Sequence, residues 1–188
     1  MKKIKWGAAI AAICLLSACT PPEPMDFSLG EVPIAHNKIP CRLQSIAVTV
    51  ETAAFYGNGK YGTRPPALSE FRDPLKSALE DGFDRSALFN YGAPSYCAFE
   101  AKILGIKQAE IGITFPADLY VSFTLNSLNT GNKLVSATVT GHGETPLTYN
   151  WIGIVRMRHS LILSGQDAAR VMIEAVEEYA SAPSSNQP

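Results

Sequence analysis

The amino-acid sequence predicts an α+β fold: a two-layer sandwich in which two helices cover one face of a mainly antiparallel four-stranded sheet, in the order βαβββα. Four apolar runs alternate with polar residues at a period of two, and two others recur at three- and four-residue spacing. The alternation in the strands is strict, so one face of the sheet is buried and the other wetted, the habit of antiparallel sheets.

The elements follow in order. Ile46, Val48 and Val50 alternate with Ala47 and Thr49, a first strand that Cys41 opens. A glycine-rich loop, Gly57 to Pro66, leads to Leu68, Phe71, Leu75, Leu79 and Phe83 on one helical face. Pro74 fits best in a first turn, so the helix proper is expected to begin there with Asp73 as its cap, and Gly82 weakens its far end. Three strands follow, with inward residues Cys97, Phe99, Ala101 and Ile103, then Leu119, Val121, Phe123 and Leu125, then Val135, Ala137 and Val139. Asn129-Thr130-Gly131-Asn132 reads as the hairpin turn between the last two. The closing helix spans about 150–180, with Ala168, Val171, Met172, Ala175, Val176 and Tyr179 as its stripe. Ser164-Gly165 is expected to break or bend it, because glycine costs close to ~1 kcal/mol in a helix interior.

The 188 residues suit one domain. A basic start (Lys2, Lys3, Lys5), an apolar run from Trp6 to Leu16 and small residues before Cys19 make residues 1–18 a secretory signal. The run is too short to span a bilayer, which takes about 20 apolar residues. Its loss leaves 13 basic against 17 acidic side chains, a balance of −4, which excludes a strongly basic nucleic-acid surface. Residues 19–40, with five prolines, read as an extended tether, 41–180 as the folded domain and 181–188 as a disordered tail. Once Cys14 leaves with the signal, Cys41 and Cys97 are expected to close a disulfide in an oxidising compartment.

Leu16-Ser17-Ala18-Cys19 resembles the processing site of bacterial lipoproteins. That resemblance implies lipidation of Cys19. Thr20, where an Asp would favour the inner membrane, then implies the periplasmic face of the outer membrane. Phe71-x3-Leu75-x3-Leu79 followed by Phe83-Asp84-Arg85-Ser86-Ala87-Leu88-Phe89 resembles small envelope lipoproteins. These include the YajG-like lipoproteins, and they share an α/β fold with the TolB amino-terminal domain and the curli-secretion lipoprotein. The implied role is envelope assembly or contact, with no enzymatic activity and no cofactor.

The chemistry-bearing residues form no catalytic or metal set. Gly57-Asn58-Gly59-Lys60 lacks the spacing of a phosphate loop, since Tyr61 follows the lysine. His36, His142 and His159 are not spaced as metal ligands. A serine hydrolase would need Ser160 or another serine brought to His142 or His159. Arg156, Arg158 and Arg170 gather near the last helix, as ordinary paired surface charge or as an anion-binding patch. Lys60, Tyr61 and Arg64 in the loop, Tyr120 on the exposed strand face, and Arg156 and Arg158 are the candidate partner contacts. Beyond the membrane, the expected partner is an envelope protein docked by a non-enzymatic module. The alternative is a carrier of lipid or another small amphiphile, which would hold an apolar cavity between helices and sheet.

Overall fold

The computed structural model describes residues 24–57, 67–109 and 112–182. Its elements are β1 (Arg42–Gly57), α1 (Ser69–Ser86), β2 (Tyr96–Gln108), β3 (Phe115–Ser127), β4 (Lys133–Thr145) and α2 (Gly153–Ser181). The sheet order is β1-β2-β3-β4, with β1 parallel to β2 and the other pairs antiparallel. The expected α+β sandwich and its βαβββα order are present, the sheet being mixed because α1 carries the chain back to the start of β2. Gly131, at φ 73°, supplies the left-handed residue of the β3–β4 turn.

The alternation puts the expected residues inside. Leu119, Val121, Phe123 and Leu125 of β3 and Phe99 and Ile103 of β2 are fully buried. They meet Phe71, Leu75, Leu79 and Phe83 of α1 and Met172 and Val176 of α2. Phe83, Phe89, Phe99 and Phe123 form a chain of ring contacts with centroids 5.0–5.4 Å apart. Among the described residues these side chains pack together between helices and sheet. A register shift between Ile103 and Gly105 turns Ile106 inward for the last part of β2.

Three local expectations are corrected. The first helix begins at Ser69, not at Pro74. A proline as the sixth residue of the helix removes a single backbone bond, and burial of Phe71 on the first turn outweighs that loss. The last helix is unbroken through Ser164-Gly165. A Cβ on Gly165 would collide with the Phe27 ring, so its missing side chain makes room for a neighbour instead of ending the helix. Gly82 has the same part in α1, where Ile173 and Leu29 occupy the space.

The third correction concerns the tether. Residues from Phe27 to Ile39 pack onto the domain, with Phe27 only 1% exposed. Ala35 N–H donates to the Ser86 carbonyl, Ile39 N–H to the Leu88 carbonyl, and the Arg85 guanidinium to the carbonyls of Leu29 and Gly30. The prolines keep the segment extended, but the apolar residues between them find a groove. Residues 19–23, and 183–188 of the expected tail, lie outside the described residues; α2 runs on to Ser181.

Cys41 and Cys97 are disulfide-bonded with Cα atoms 5.9 Å apart, closing a separation of 56 residues just before β1 and at the start of β2. The loop-entropy account assigns such a closure about 4 kcal/mol. Cys41→Ser with Cys97→Ser is expected to lower unfolding free energy by about that amount, measured by urea denaturation with the oxidised parent alongside.

Candidate functional site

Two surfaces stand out once the core is accounted for. The first is the outer face of the sheet. Its residues come from the outward set of each strand: Ala47 and Thr49, Glu100 and Lys102, Ser122 and Thr124, Ser136 and Thr138. A shallow depression of about 490 Å³ lies over Thr49, Glu100, Lys102, Ser122 and Thr124. Lys102 Nζ stands 3.3 Å from Glu51 Oε2, and its hydrogen bond holds the Glu51 carboxyl below the ordinary carboxylate value. Thr124 Oγ1 and Ser136 Oγ lie 3.4 Å apart across β3 and β4. Tyr120, on this face, is half-buried opposite Gly105 and Thr140. The surface is polar, mixed in charge and, among the described residues, covered by no helix or strand.

The second surface lies at the end of the molecule where β3 and α2 begin. Ile113, Leu147, Tyr149, Trp151, Ile152 and Ile154 are all exposed there. Arg156 organises its base. It is buried, donates from Nη1 to the Ile113 carbonyl at 2.6 Å, and stacks over the Phe115 ring at 4.7 Å. Phe115 in turn lies against Gly153, and Tyr149 stacks on the His159 ring with centroids 4.0 Å apart.

Arg156 is therefore corrected from a partner contact to a buried support. Arg158 Nη1 stands 4.0 Å from Glu70 Oε2 and Arg170 Nη1 3.6 Å from Asp167 Oδ1, the ordinary pairing of surface charge, so the three arginines do not converge on an anion. Lys60, Tyr61 and Arg64, like Cys19, lie outside the described residues. His142 Nδ1 is 2.8 Å from Asp118 Oδ1, and the His142 backbone N–H donates to Asp167 Oδ2. The Ser160 hydroxyl is buried, donating to the Met157 carbonyl and lying 3.1 Å from Gln108 Nε2. Among the described residues no group of three His, Cys, Asp or Glu side chains is placed to hold a metal ion, and no helix is long and apolar enough to cross a membrane.

The sequence reading missed the apolar end. Ile154 stands about five helical turns before Met172 and so shares its face of α2, yet it is 66% exposed while Met172 is fully buried. Periodicity marks the face; it does not say where the covering layer stops. The available signal was the density of large apolar residues from Leu147 to Ile154 ahead of the helical stripe.

No family model matches this chain, and no curated protein matches it in sequence. Solved structures do. A Xanthomonas campestris protein of the DUF330 family superposes with a TM-score of 0.58 at 10% identity, over 82% of this chain and 94% of that one. The fold is shared; the sequence is not. A candidate lipoprotein of Caulobacter crescentus gives 0.41 at 12% identity, over 58% and 82%. A neuraminyllactose-binding hemagglutinin homolog from Helicobacter pylori gives 0.45 at 9% identity, over 85% and 97%. The first of these likenesses places the chain in a known α/β architecture and says nothing of its activity.

Arg156→Ala is expected to cost about 2 kcal/mol, because a buried charge-assisted bond and a ring contact are lost together. Arg158→Ala is expected to cost less than about 1 kcal/mol, and chemical denaturation of the two variants separates these roles. On the sheet face, Glu51 is expected to titrate below 4.5 in the folded protein and to return toward that value in Lys102→Met, as followed by carboxyl carbon NMR. Since the folded value is the lower one, the pairing stabilises at neutral pH and is lost as pH falls through it.

Proposed function

We propose that this chain is a lipid-anchored lipoprotein of the bacterial cell envelope, held at Cys19 to the periplasmic face of the outer membrane, where it docks an envelope protein without catalysing a reaction. The single observation that carries the docking surface is the one-sided sheet. Its inner face is filled by two helices, and among the described residues no element lies over its outer face. The amino-terminal segment supports the same orientation. On α2, Ser160, Ser164 and Ala168 lie against Gly141 and Gly143 of β4, whereas Gln166, Arg170, Glu174 and Glu177 line the amino-terminal segment from a different side of the helix. An anchored chain thus enters on the helical side and leaves the sheet face free for a partner.

The composition of that face suits a reversible protein contact. It is polar and mixed in charge, the character of interfaces formed by proteins that also stand alone. The Ser-Ala-Cys start supplies the address, and the phrase around Phe83–Phe89 adds the resemblance to YajG-like envelope lipoproteins. The disulfide suits an oxidising compartment.

The test is site-specific photo-crosslinking in intact cells producing the full chain, with the reactive residue at Thr49 or Ser136 and, as a control, at Lys76 on exposed α1. Defined adducts with one envelope protein are expected from the two sheet positions and not from Lys76, and Thr124→Arg is expected to abolish them. Adducts that are absent, or equal from all three positions, would overturn the docking face.

A further inference from the structure

The apolar end of the domain is not needed for a contact made by the sheet. It carries two interfacial aromatic residues and four large aliphatic ones, all exposed: Trp151 is 84% exposed, Ile113 75% and Ile154 66%. Exposed tryptophan and tyrosine beside aliphatic side chains are the composition of a surface that rests at the membrane–water boundary.

The course of the amino-terminal segment says what covers it. Ser28 accepts from Gln166 Nε2 through its carbonyl, His36 N–H donates to Glu177, and Asn37 Nδ2 to Ser181 Oγ. The segment therefore runs parallel to α2, from its middle toward its carboxy-terminal end. Its contacts with α2 begin at the middle of the helix, where Phe27 fills the space beside Gly165, 12 residues into the helix from the end near which Trp151 and Ile154 stand. Pro24 is the first described residue, five residues after Cys19, and so short a connection reaches no further than about 18 Å. The 29 residues of α2 extend about 44 Å. A leash that short cannot hold the domain clear of the surface.

We propose that the apolar end, with Trp151 at its tip, is seated in the headgroup and upper acyl region of the bilayer that carries the Cys19 lipid. The proposal rests on the lipid-anchor reading, and goes beyond it by assigning the domain a fixed face on the membrane. Anchoring by acyl chains alone would leave the domain swinging; a second, proteinaceous contact orients the sheet face for its partner.

The mature chain provides its own probe. The chain has two tryptophans, and Trp6 lies in the signal segment, so Trp151 is the only one left after processing. The full-length protein, purified from the membranes of producing cells, is reconstituted in vesicles of phosphatidylethanolamine and phosphatidylglycerol, with and without bromine on the acyl chains. Mass spectrometry of the amino terminus reports the lipid, and Trp151 fluorescence reports the seat. The expected result is a lipidated Cys19, emission shifted to shorter wavelength than in detergent-free denaturant, and loss of intensity with brominated lipid. Ile113→Asp with Ile154→Asp, both at exposed positions, is expected to remove the quenching while the protein still floats with the vesicles. Lipidated protein that floats with Trp151 unquenched would overturn the seat and leave the anchor reading standing. Shielding that appears only with doubling of molecular size, and without bromine quenching, would overturn it in favour of a second copy. An unmodified Cys19 would overturn both.

Discussion

Direct contact between the backbone of α2 and that of β4 is the constraint on which the rest of the structure depends. At Gly141 and Gly143 a side chain of any size would enter the space of the Ser160 and Ser164 carbonyls and the Ala168 amide. The helix can lie this close only because two alternate residues of the strand have no Cβ and its own contacting residues are small. That approach fixes the position of α2 along the edge of the sheet. From there, Gly82 lets α1 settle against Ile173, and Gly165 opens the slot that Phe27 fills. Each layer is located by the absence of a side chain in the one before it.

This order of assembly accounts for the distribution of surfaces. Two helices and the amino-terminal segment stack on one side of the sheet, so the inward-facing apolar side chains of the strands have their neighbours on that side. Nothing of the described chain is left to cover the other side, which accordingly carries serine, threonine, lysine and glutamate. The helix layer is also longer than the core it covers. The first turn of α2 and the residues before it project past the end of the buried stripe, and their apolar side chains are left at the surface. Arg156 makes that projection stiff by tying α2 to the Ile113 carbonyl and the Phe115 ring.

Much of this was legible in the residues. Val121 and Phe123 announce their face by strict alternation, and Leu75 and Leu79 announce theirs by helical spacing, because burial on one side imposes a period on the chain. The disulfide was legible from Cys41 and Cys97, the two cysteines outside the amino-terminal segment. The errors share a cause. Pro74, Gly82 and Gly165 were read for their local conformational cost, whereas the fold values them for what packs nearby. Arg156 was read as surface because arginine usually is; a carbonyl and an aromatic ring, brought from β3 and the residues before it, made burial affordable.

By itself the sequence determined the number, type and order of the elements, the inward face of each strand and the covalent pairing of Cys41 with Cys97. Those properties are written in local patterns of two to four residues and in the chemistry of single side chains. Only the tertiary structure decided that Phe27 to Ile39 belong to the domain, that α2 runs unbroken, and that Trp151 and Ile154 end up outside while Met172 ends up inside. Such outcomes depend on where one layer stops beneath another, a distance between segments far apart in the chain that no local period records.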